Sequence, residues 1–225
     1  MVKKMYKKMI FFFFMALIYA VCMIMEPQKS EETAEYNVEE EEKNVALTFD
    51  DGPGEYTDRL LDGLKKRNAK ATFFLIGRNA KEYPDVVYKM VKNGNLVGNH
   101  TYNHVRLNEL SEEEALSEIN KTNNLITILT GKSVKYIRPP YGHWNDEIEN
   151  QIDMKEVLWD VDPRDWCILD SESVVKHIEE NVKPGDIILL HDIFETSVDA
   201  ALEIVDILSE QGYEFVTVDE LYGEK

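Results

Sequence analysis

The sequence predicts an α/β fold in the form of an irregular (β/α) barrel with about seven parallel strands; an open, doubly wound sheet is the alternative. Short runs rich in β-branched and aromatic residues alternate with amphipathic helical patterns along most of the chain. This alternation implies parallel strands joined by right-handed helical crossovers. Polar clusters follow five of the predicted strands. They therefore lie at the carboxyl ends of the strands, where a β/α barrel carries its functional groups.

The predicted elements are short and bounded by turn and capping residues. Ser111 and Glu114 form a capping box at one helix start, and Gly131 and Gly212 follow helices as left-handed closing residues. The predicted strands cover 45–49, 71–75, 96–98, 135–137, 157–161, 186–190 and 214–218. The predicted helices cover 57–67, 84–92, 111–129, 146–152, 171–180 and 198–211.

Residues 1–25 have the pattern of a signal peptide or membrane anchor. Four lysines precede an apolar run from Ile10 to Met25 that contains four consecutive phenylalanines. The run is somewhat shorter than the roughly 20 apolar residues that span a bilayer comfortably. Cleavage after Ala20 or Cys22 and retention as an uncleaved anchor both stay open. Cys22 also permits a lipoprotein interpretation, although no small residue directly precedes it.

Residues 26–44 are expected to be an acidic flexible spacer, and residues 45–225 a single domain with a full core. The first 25 residues contribute +4 and the spacer −6 to the formal charge of −18, which leaves −16 on the domain. This acidity argues against a nucleic-acid partner, because nucleic-acid binding needs clustered lysine and arginine. Cys167 is the single cysteine of the domain, so no internal disulfide is expected.

The polar clusters predict one composite site. Side chains that follow parallel strands of a β/α barrel meet at one mouth, whereas scattered surface residues would fall in loops at both ends. The clusters are Asp50-Asp51, His100 with His104, Arg138-Pro139-Pro140-Tyr141, Asp162 with Asp165-Trp166, and His191-Asp192.

His100 and His104 suggest a metal site. Histidines four residues apart can meet on one face of a helical turn, so that both rings reach one ion. A nearby carboxylate would complete three protein ligands and leave open positions, as in catalytic zinc sites. Asp50 and Asp51 leave their strand in different directions and can perform different tasks, although an Asp-Gly turn would also explain the pair.

Five motifs follow one another along the chain: TFDDGP at 48–53, HTYNH at 100–104, RPPYG at 138–142, DPRDW at 162–166 and LLHD at 189–192. In this order they resemble the motifs of the polysaccharide deacetylases, the NodB-homology enzymes of carbohydrate esterase family four. Each motif alone is a modest signal, but five in order are specific. No catalytic position is substituted, which argues against an inactive member of the family.

The resemblance implies a metal centre with an adjacent base. Asp51, His100 and His104 would bind the metal, and Asp50 would take a proton from the attacking water. Arg138 would pair with Asp50 and hold it charged and oriented. A plain ion pair at a strand end is the structural alternative for Arg138.

The resemblance also assigns the other side of the site. His191 would be the general acid that protonates the departing amine, with Asp165 oriented on it. The backbone N–H of Tyr141 would meet the oxyanion, and Trp166 and Leu189 would line the acetyl pocket. A core position is the alternative for Trp166.

Four further residues carry open interpretations. His143 could touch sugar or solvent, and Asp192 could simply fix its loop. His177 lies in a charged helix and is expected at the surface. Cys167 is expected to pack and not to act as a nucleophile, because no histidine partner is implied for it.

The activity implied by the resemblance is hydrolysis of the acetamide of N-acetylglucosamine in peptidoglycan or a related cell-envelope polysaccharide. The expected cofactor is one divalent ion, zinc first, with cobalt, nickel or manganese as alternatives. The expected partners are the N-acetylated polysaccharide and, through the N-terminal segment, a membrane. The expected location is the extracellular side of a bacterial membrane or the secreted fraction, and the default oligomeric state is a monomer.

Two other functions stay open at this point. An O-acetyl esterase acting on a polysaccharide such as xylan would share the mechanism, so the motifs do not separate it from an N-deacetylase. A non-catalytic glycan-binding protein on the same fold would lack a metal ligand or the base, and neither is lost here.

Overall fold

A computed structural model of the chain describes residues 5–6, 15–16, 42–144 and 146–224. The chain divides into two units, Met1–Glu40 and Glu41–Lys225. The four described residues of the first unit are helical and exposed. The expected export segment and spacer therefore lie almost wholly outside the described residues. None of the helices in the described ranges combines the length and apolar character needed to cross a membrane.

The second unit is an α/β domain with a strongly curled, all-parallel sheet, which confirms the predicted fold class. Within the described ranges the sheet has seven strands. They are β1 (Asn44–Asp50), β2 (Thr72–Leu75), β3 (Leu96–Asn99), β4 (Tyr136–Ile137), β5 (Lys155–Glu156), β6 (Ile187–His191) and β7 (Glu214–Val216).

Helices connect the strands as crossovers. The α-helices are α1 (Thr57–Lys66), α2 (Gly77–Glu82), α3 (Pro84–Lys92), α4 (Glu112–Thr130), α5 (Asp165–Ile168), α6 (Ser171–Asn181), α7 (Glu195–Glu210) and α8 (Val218–Leu221). Short 3₁₀ segments lie at Leu107–Glu109, Pro140–Gly142 and Asp146–Gln151. The sequence did not predict α2, α5 and α8, because helices of four to six residues show too little periodicity.

The strand order β5-β4-β3-β2-β1-β6 curls the sheet into a distorted barrel. β7 lies off this path and pairs with the first residues of β1. Beyond β5 the chain returns to β6, where Val161 and Ile188 form a parallel bridge. The Leu189 N–H donates to the Val161 carbonyl there at 2.9 Å. The barrel, and not the open doubly wound alternative, is the architecture of this domain.

The predicted strand over 157–161 is wrong in position. Val157 and Val161 are buried on either side of exposed residues, so the alternating pattern exists, but the regular strand ends at Glu156. The reason is a competing donor: Arg138 donates through Nε to the Val157 carbonyl at 3.0 Å and through Nη2 to the Leu158 carbonyl at 2.9 Å. These carbonyls serve a guanidinium instead of a neighbouring strand.

The central strand β1 shows how the core positions the site. Val45, Leu47 and Phe49 belong to the apolar cluster that includes buried residues of the helices. Ala46 instead packs with residues of neighbouring strands in a second cluster. Because side chains alternate along a strand, Asp50 shares the orientation of Ala46 at the carboxyl end of β1. The pleat thus places a buried carboxylate at the barrel mouth.

A chain that begins at Glu39 is expected to fold with unchanged thermal stability. The domain's described contacts start just after that point: the Glu214 N–H donates to the Lys43 carbonyl at 2.9 Å, and Lys43 Nζ donates to the Gln211 carbonyl at 3.2 Å. Thermal unfolding checks this. A chain that begins at Ala46 is the matched control and should melt lower, because it loses most of the β1–β7 pairing. A chain from Glu39 that fails to fold would assign the acidic segment to the domain.

Candidate active site

The two aspartates at the end of β1 diverge. Asp50 accepts a hydrogen bond from Arg138 Nη1 at 2.9 Å. Asp51 adopts left-handed backbone with φ 71°, which turns its side chain toward the two histidines. The Asn79 amide holds this turn by donating to the Asp51 carbonyl at 2.7 Å. The two adjacent carboxylates therefore have different main partners, and they share only His100, whose Nε2 lies 3.8 Å from Asp50 Oδ2.

His100 and His104 converge, but not on a helical turn. Their ring centroids lie 5.0 Å apart. The segment between them is a loop, with positive φ at Thr101 (61°) and at His104 itself (58°). The helical expectation was wrong because hydrogen bonds from neighbouring elements shape this loop. The Gly77 N–H, for example, donates to the Thr101 carbonyl at 2.9 Å.

Asp51, His100 and His104 form a group that fits a divalent cation. One potential ligand atom from each lies within 4.8 Å of the others. Asp51 Oδ1 is buried without a hydrogen-bond partner among the described residues. It faces His100 Nε2 at 3.4 Å and His104 Nε2 at 3.2 Å. His100 Nδ1 lies 2.6 Å from the Arg138 carbonyl, and donation there leaves Nε2 with a free lone pair.

The carboxylates around this group favour positive charge, although burial and the charge of His100 lower the pKa of His104. Burial alone would raise the pKa of Asp51, but the close contact with His100 and the charges of the neighbouring histidines lower that pKa to about 2. Burial would lower the pKa of His100, yet the charges of Asp50 and Asp51 raise it overall. Carboxylate oxygen and imidazole nitrogen are also ligand types that zinc and related divalent ions accept.

Arg138 lies under the mouth and is fully buried. Burial lowers the pKa of its guanidinium, and the charge of Asp50 opposes that change. Its hydrogen bonds reach Asp50, the Thr48 hydroxyl at 2.8 Å and two main-chain carbonyls. A simple surface ion pair at a strand end does not describe this residue, because Arg138 fixes Asp50 to the barrel interior.

His191 and Asp165 form the opposite side of the site. His191 ends β6, and Asp165 begins α5. The carboxylate accepts from the His191 N–H at 2.7 Å and pairs with His191 Nδ1 at 2.8 Å. Burial would lower the pKa of His191, but the hydrogen bond and charge of Asp165 raise it to about 9. Asp165 thereby fixes the orientation of the ring and favours its protonated form.

These groups line one cleft of about 430 Å³. Tyr141 and Trp166 stand in its walls with 54% and 52% of their surface exposed, so Trp166 is not a core residue. Tyr141 has a φ of 61°, and its N–H donates to no backbone carbonyl within the part of the chain that the structure describes. Leu189 also lines the cleft. All ten residues expected from the sequence thus meet at or directly beneath one opening.

Three residues of the site were not predicted from the sequence. Trp159 and Phe194 line the cleft, and Thr48 holds Arg138 from below while donating to the Ile188 carbonyl at 2.6 Å. The alternation of Val157, Trp159 and Val161 could have placed Trp159 on the interior face. Phe194 directly precedes α7 and carries no sequence signal of this kind.

The residues left open fall outside this cleft or beneath it. His143 and His177 are exposed, as expected for His177, and Cys167 is exposed instead of packed. Asp192 is fully buried and accepts from the Thr57 hydroxyl at 2.5 Å. Because Gly54 N–H donates to the same hydroxyl at 2.8 Å, Asp192 ties the loop after β6 to the loop after β1.

Comparison with known proteins gives consistent matches. The family model described as polysaccharide deacetylase matches residues 37–157. Peptidoglycan-N-acetylmuramic acid deacetylase PdaC of Bacillus subtilis (strain 168) is 45% identical over 83% of this chain and 40% of its own length. Its solved structure superposes with a TM-score of 0.79, at 45% identity, over 81% of this chain and 91% of that chain.

Two further relatives extend the comparison. Peptidoglycan-N-acetylglucosamine deacetylase PgdA of Listeria monocytogenes is 39% identical over 81% of this chain and 40% of its own length. The Xyl-CE4 domain of a multidomain xylanase from the hindgut metagenome of Trinervitermes trinervoides is 35% identical, with a TM-score of 0.76, over 81% of this chain and 91% of that chain. The chain thus spans about 40% of the length of the two curated peptidoglycan deacetylases.

Proposed function

The chain belongs to the polysaccharide deacetylase family, and from that premise we propose that it is a metal-dependent N-deacetylase of peptidoglycan amino sugars. The observation that carries this proposal is the arrangement of the cleft. The three potential metal ligands, a separately anchored carboxylate and a histidine paired with a buried carboxylate face one opening. Metal-assisted hydrolysis of an unactivated amide uses a Lewis acid, a base for the attacking water and an acid for the leaving amine.

The metal group would be Asp51, His100 and His104, and the ion proposed is zinc, with cobalt, nickel or manganese as alternatives. A divalent ion held there would supply Lewis-acid chemistry, polarising the acetamide carbonyl and acidifying water. Asp50 would accept the proton of the attacking water. Arg138 supplies the buried counter-charge that orients Asp50 for this task.

Completion of the reaction needs an oxyanion donor and a proton for the leaving group. The Tyr141 N–H would donate to the oxyanion that forms when water adds to the carbonyl carbon. His191 would donate its proton to the sugar nitrogen as the carbon–nitrogen bond breaks, so that amine and acetate leave. Asp165 maintains His191 as the acid. Trp166 and Leu189 would enclose the acetyl methyl group.

N-acetylglucosamine in a cell-envelope glycan is the substrate unit proposed first, as in PgdA. Arg106 favours N-acetylmuramic acid as a second candidate. Its guanidinium lies 4.1 Å from the ring centre of Tyr141, at the edge of the cleft. Its ion partner Glu109 is 3.8 Å away, beyond hydrogen-bond distance. A stacked guanidinium keeps its N–H edges for a carboxylate, and muramic acid carries a lactyl carboxyl group beside the acetamide.

An O-acetyl esterase remains the alternative enzyme, since the similar Xyl-CE4 domain belongs to a xylanase. Export of the chain, anchoring or cleavage of residues 1–25, a spacer over 26–44 and a monomeric state belong to the same proposal. They would place the catalytic domain, residues 45–225, outside the cell membrane.

Chelation is expected to abolish acetate release, and zinc or cobalt is expected to restore it. Release should be measured side by side on peptidoglycan, chitin oligomers and acetylxylan, with the modified sugar identified by mass spectrometry. Acetate from acetylxylan alone would establish the esterase instead. His100→Ala and His104→Ala should bind the metal more weakly and lose metal occupancy, whereas His177→Ala, which changes an exposed histidine, should leave it unchanged. Full activity after exhaustive chelation would refute the metal mechanism.

A further inference from the structure

Glu118 is a buried carboxylate that holds the loop between the two histidines. It lies on α4 with 8% of its surface exposed. Its Oε2 accepts from the Tyr102 N–H at 3.1 Å and from the Asn103 N–H at 2.8 Å. Its Oε1 accepts from the Asn103 side-chain amide at 2.8 Å. Three donors of one short loop therefore converge on a single side chain.

The same loop is held from its carbonyl side by α2. The Gly77 N–H donates to the Thr101 carbonyl at 2.9 Å, and the Arg78 N–H donates to the Tyr102 carbonyl at 3.1 Å. The close approach of α2 to this loop requires glycine at position 77, because a Cβ there would lie 2.5 Å from the Tyr102 ring. Glu118 and α2 thus hold the loop from opposite sides. We call this pair of contacts the clamp; it fixes the backbone of residues 101–103, which directly precede His104.

His100 does not depend on this clamp in the same way. Its N–H donates to the Leu75 carbonyl at 2.9 Å, which extends the pairing of β2 and β3. Its ring is fixed by the Arg138 carbonyl at 2.6 Å. His104 comes after the clamped loop and adopts left-handed backbone, a conformation that costs free energy unless its surroundings impose it.

We infer that Glu118 is a positioning residue that holds His104, and not His100, in the position needed for metal binding. This rests on the proposed metal role of Asp51, His100 and His104. Without the carboxylate, two partly buried loop N–H groups lose their acceptor, and the left-handed residue at His104 loses contacts that maintain the loop before it. His104 then leaves the geometry in which it shares one ion with Asp51 and His100.

Cobalt(II) binding to the full chain, followed by its visible absorption, tests this inference. Glu118→Ala is expected to weaken cobalt binding by about 10–100-fold, the usual effect of losing a group that orients a metal ligand. Glu118→Gln should recover most of the affinity, because its amide oxygen can still accept from both loop N–H groups. Ile126→Ala, at another buried position of α4, is the matched control. It should lower the melting temperature and leave cobalt affinity unchanged.

A double-mutant cycle separates positioning from general stability. Glu118→Ala is expected to change cobalt affinity little when His104 is already Ala, because the ligand that it sets is gone. Equal losses in the two backgrounds, or unchanged affinity in Glu118→Ala at temperatures where it is folded, would overturn the inference. If the unaltered chain binds no cobalt, the proposed metal function fails as well. If the unaltered chain binds cobalt and Glu118→Ala binds it with the same affinity, the proposed function stands and Glu118 has no positioning role.

Discussion

Asp50→Asn is expected to retain its metal and to lose turnover by about 10²–10⁴-fold, the usual contribution of a general base. Asp51→Asn is expected to lose the metal itself, because it removes the charged oxygen that faces both histidines. The two variants differ by one position and carry the same chemical change, so each is the control for the other. Metal content and acetate release, measured on the same preparations, decide between the roles.

Stability has to be measured alongside, because Asp50 is also the counter-charge of a fully buried arginine. Removing one partner of a buried ion pair is destabilising, since the remaining charge stays desolvated. We therefore expect Asp50→Asn to melt at a lower temperature than the parent, and its activity should be compared well below that temperature. A metal-free Asp50→Asn with a metal-replete Asp51→Asn would show that the two roles are reversed.

His191→Ala is expected to keep the metal and to lose about 10²–10⁴-fold in turnover, because it removes the proton donor and not a ligand. Asp165→Asn should be milder and should act through the ring. The charge of Asp165 raises the pKa of His191, so its removal lowers that pKa. Kinetics of both variants with saturating metal, compared with the parent, measure the two effects.

The pH profile provides the sharper readout of this pair. An acid must be protonated to act, so activity should fall as pH rises through the pKa of His191, about 9 in the absence of a cation. A bound cation repels the imidazolium, which moves this alkaline limb below pH 9. Asp165→Asn should move the limb lower by about one further unit or more. An alkaline limb that stays in place in Asp165→Asn would exclude His191 as its source, although coupling to the ionisation of water can broaden the limb.

Arg138 contributes both to the fold of the barrel and to the geometry of the candidate site. One guanidinium interrupts the strand after Glu156, contacts Thr48 and orients Asp50. Its own main-chain carbonyl fixes the His100 ring. A change at Arg138 would therefore disturb the barrel, the base and a metal ligand together.

The sequence by itself predicted the fold class and ten of the residues that meet at the candidate site. Alternating strands and helices imply a parallel sheet, and β1 lies within one residue of its expected bounds at each end. Asp50, Asp51, His100, His104 and His191 lie at or just beyond the ends of their strands, and parallel strands of a barrel bring those ends together. These features depend on periodicity and order along the chain, which a single sequence displays.

Tertiary structure alone decided how these residues meet. The loop from His100 to His104 is not a helical turn, because Glu118 and α2 take its hydrogen bonds from outside. The strand expected over 157–161 is displaced, because the buried guanidinium of Arg138 takes the carbonyls that a neighbouring strand would have used. In both cases the competing partner lies at least 14 residues away along the chain. Secondary-structure propensity depends on residues that are close along the chain. It therefore does not indicate a partner that becomes a neighbour only in the folded domain.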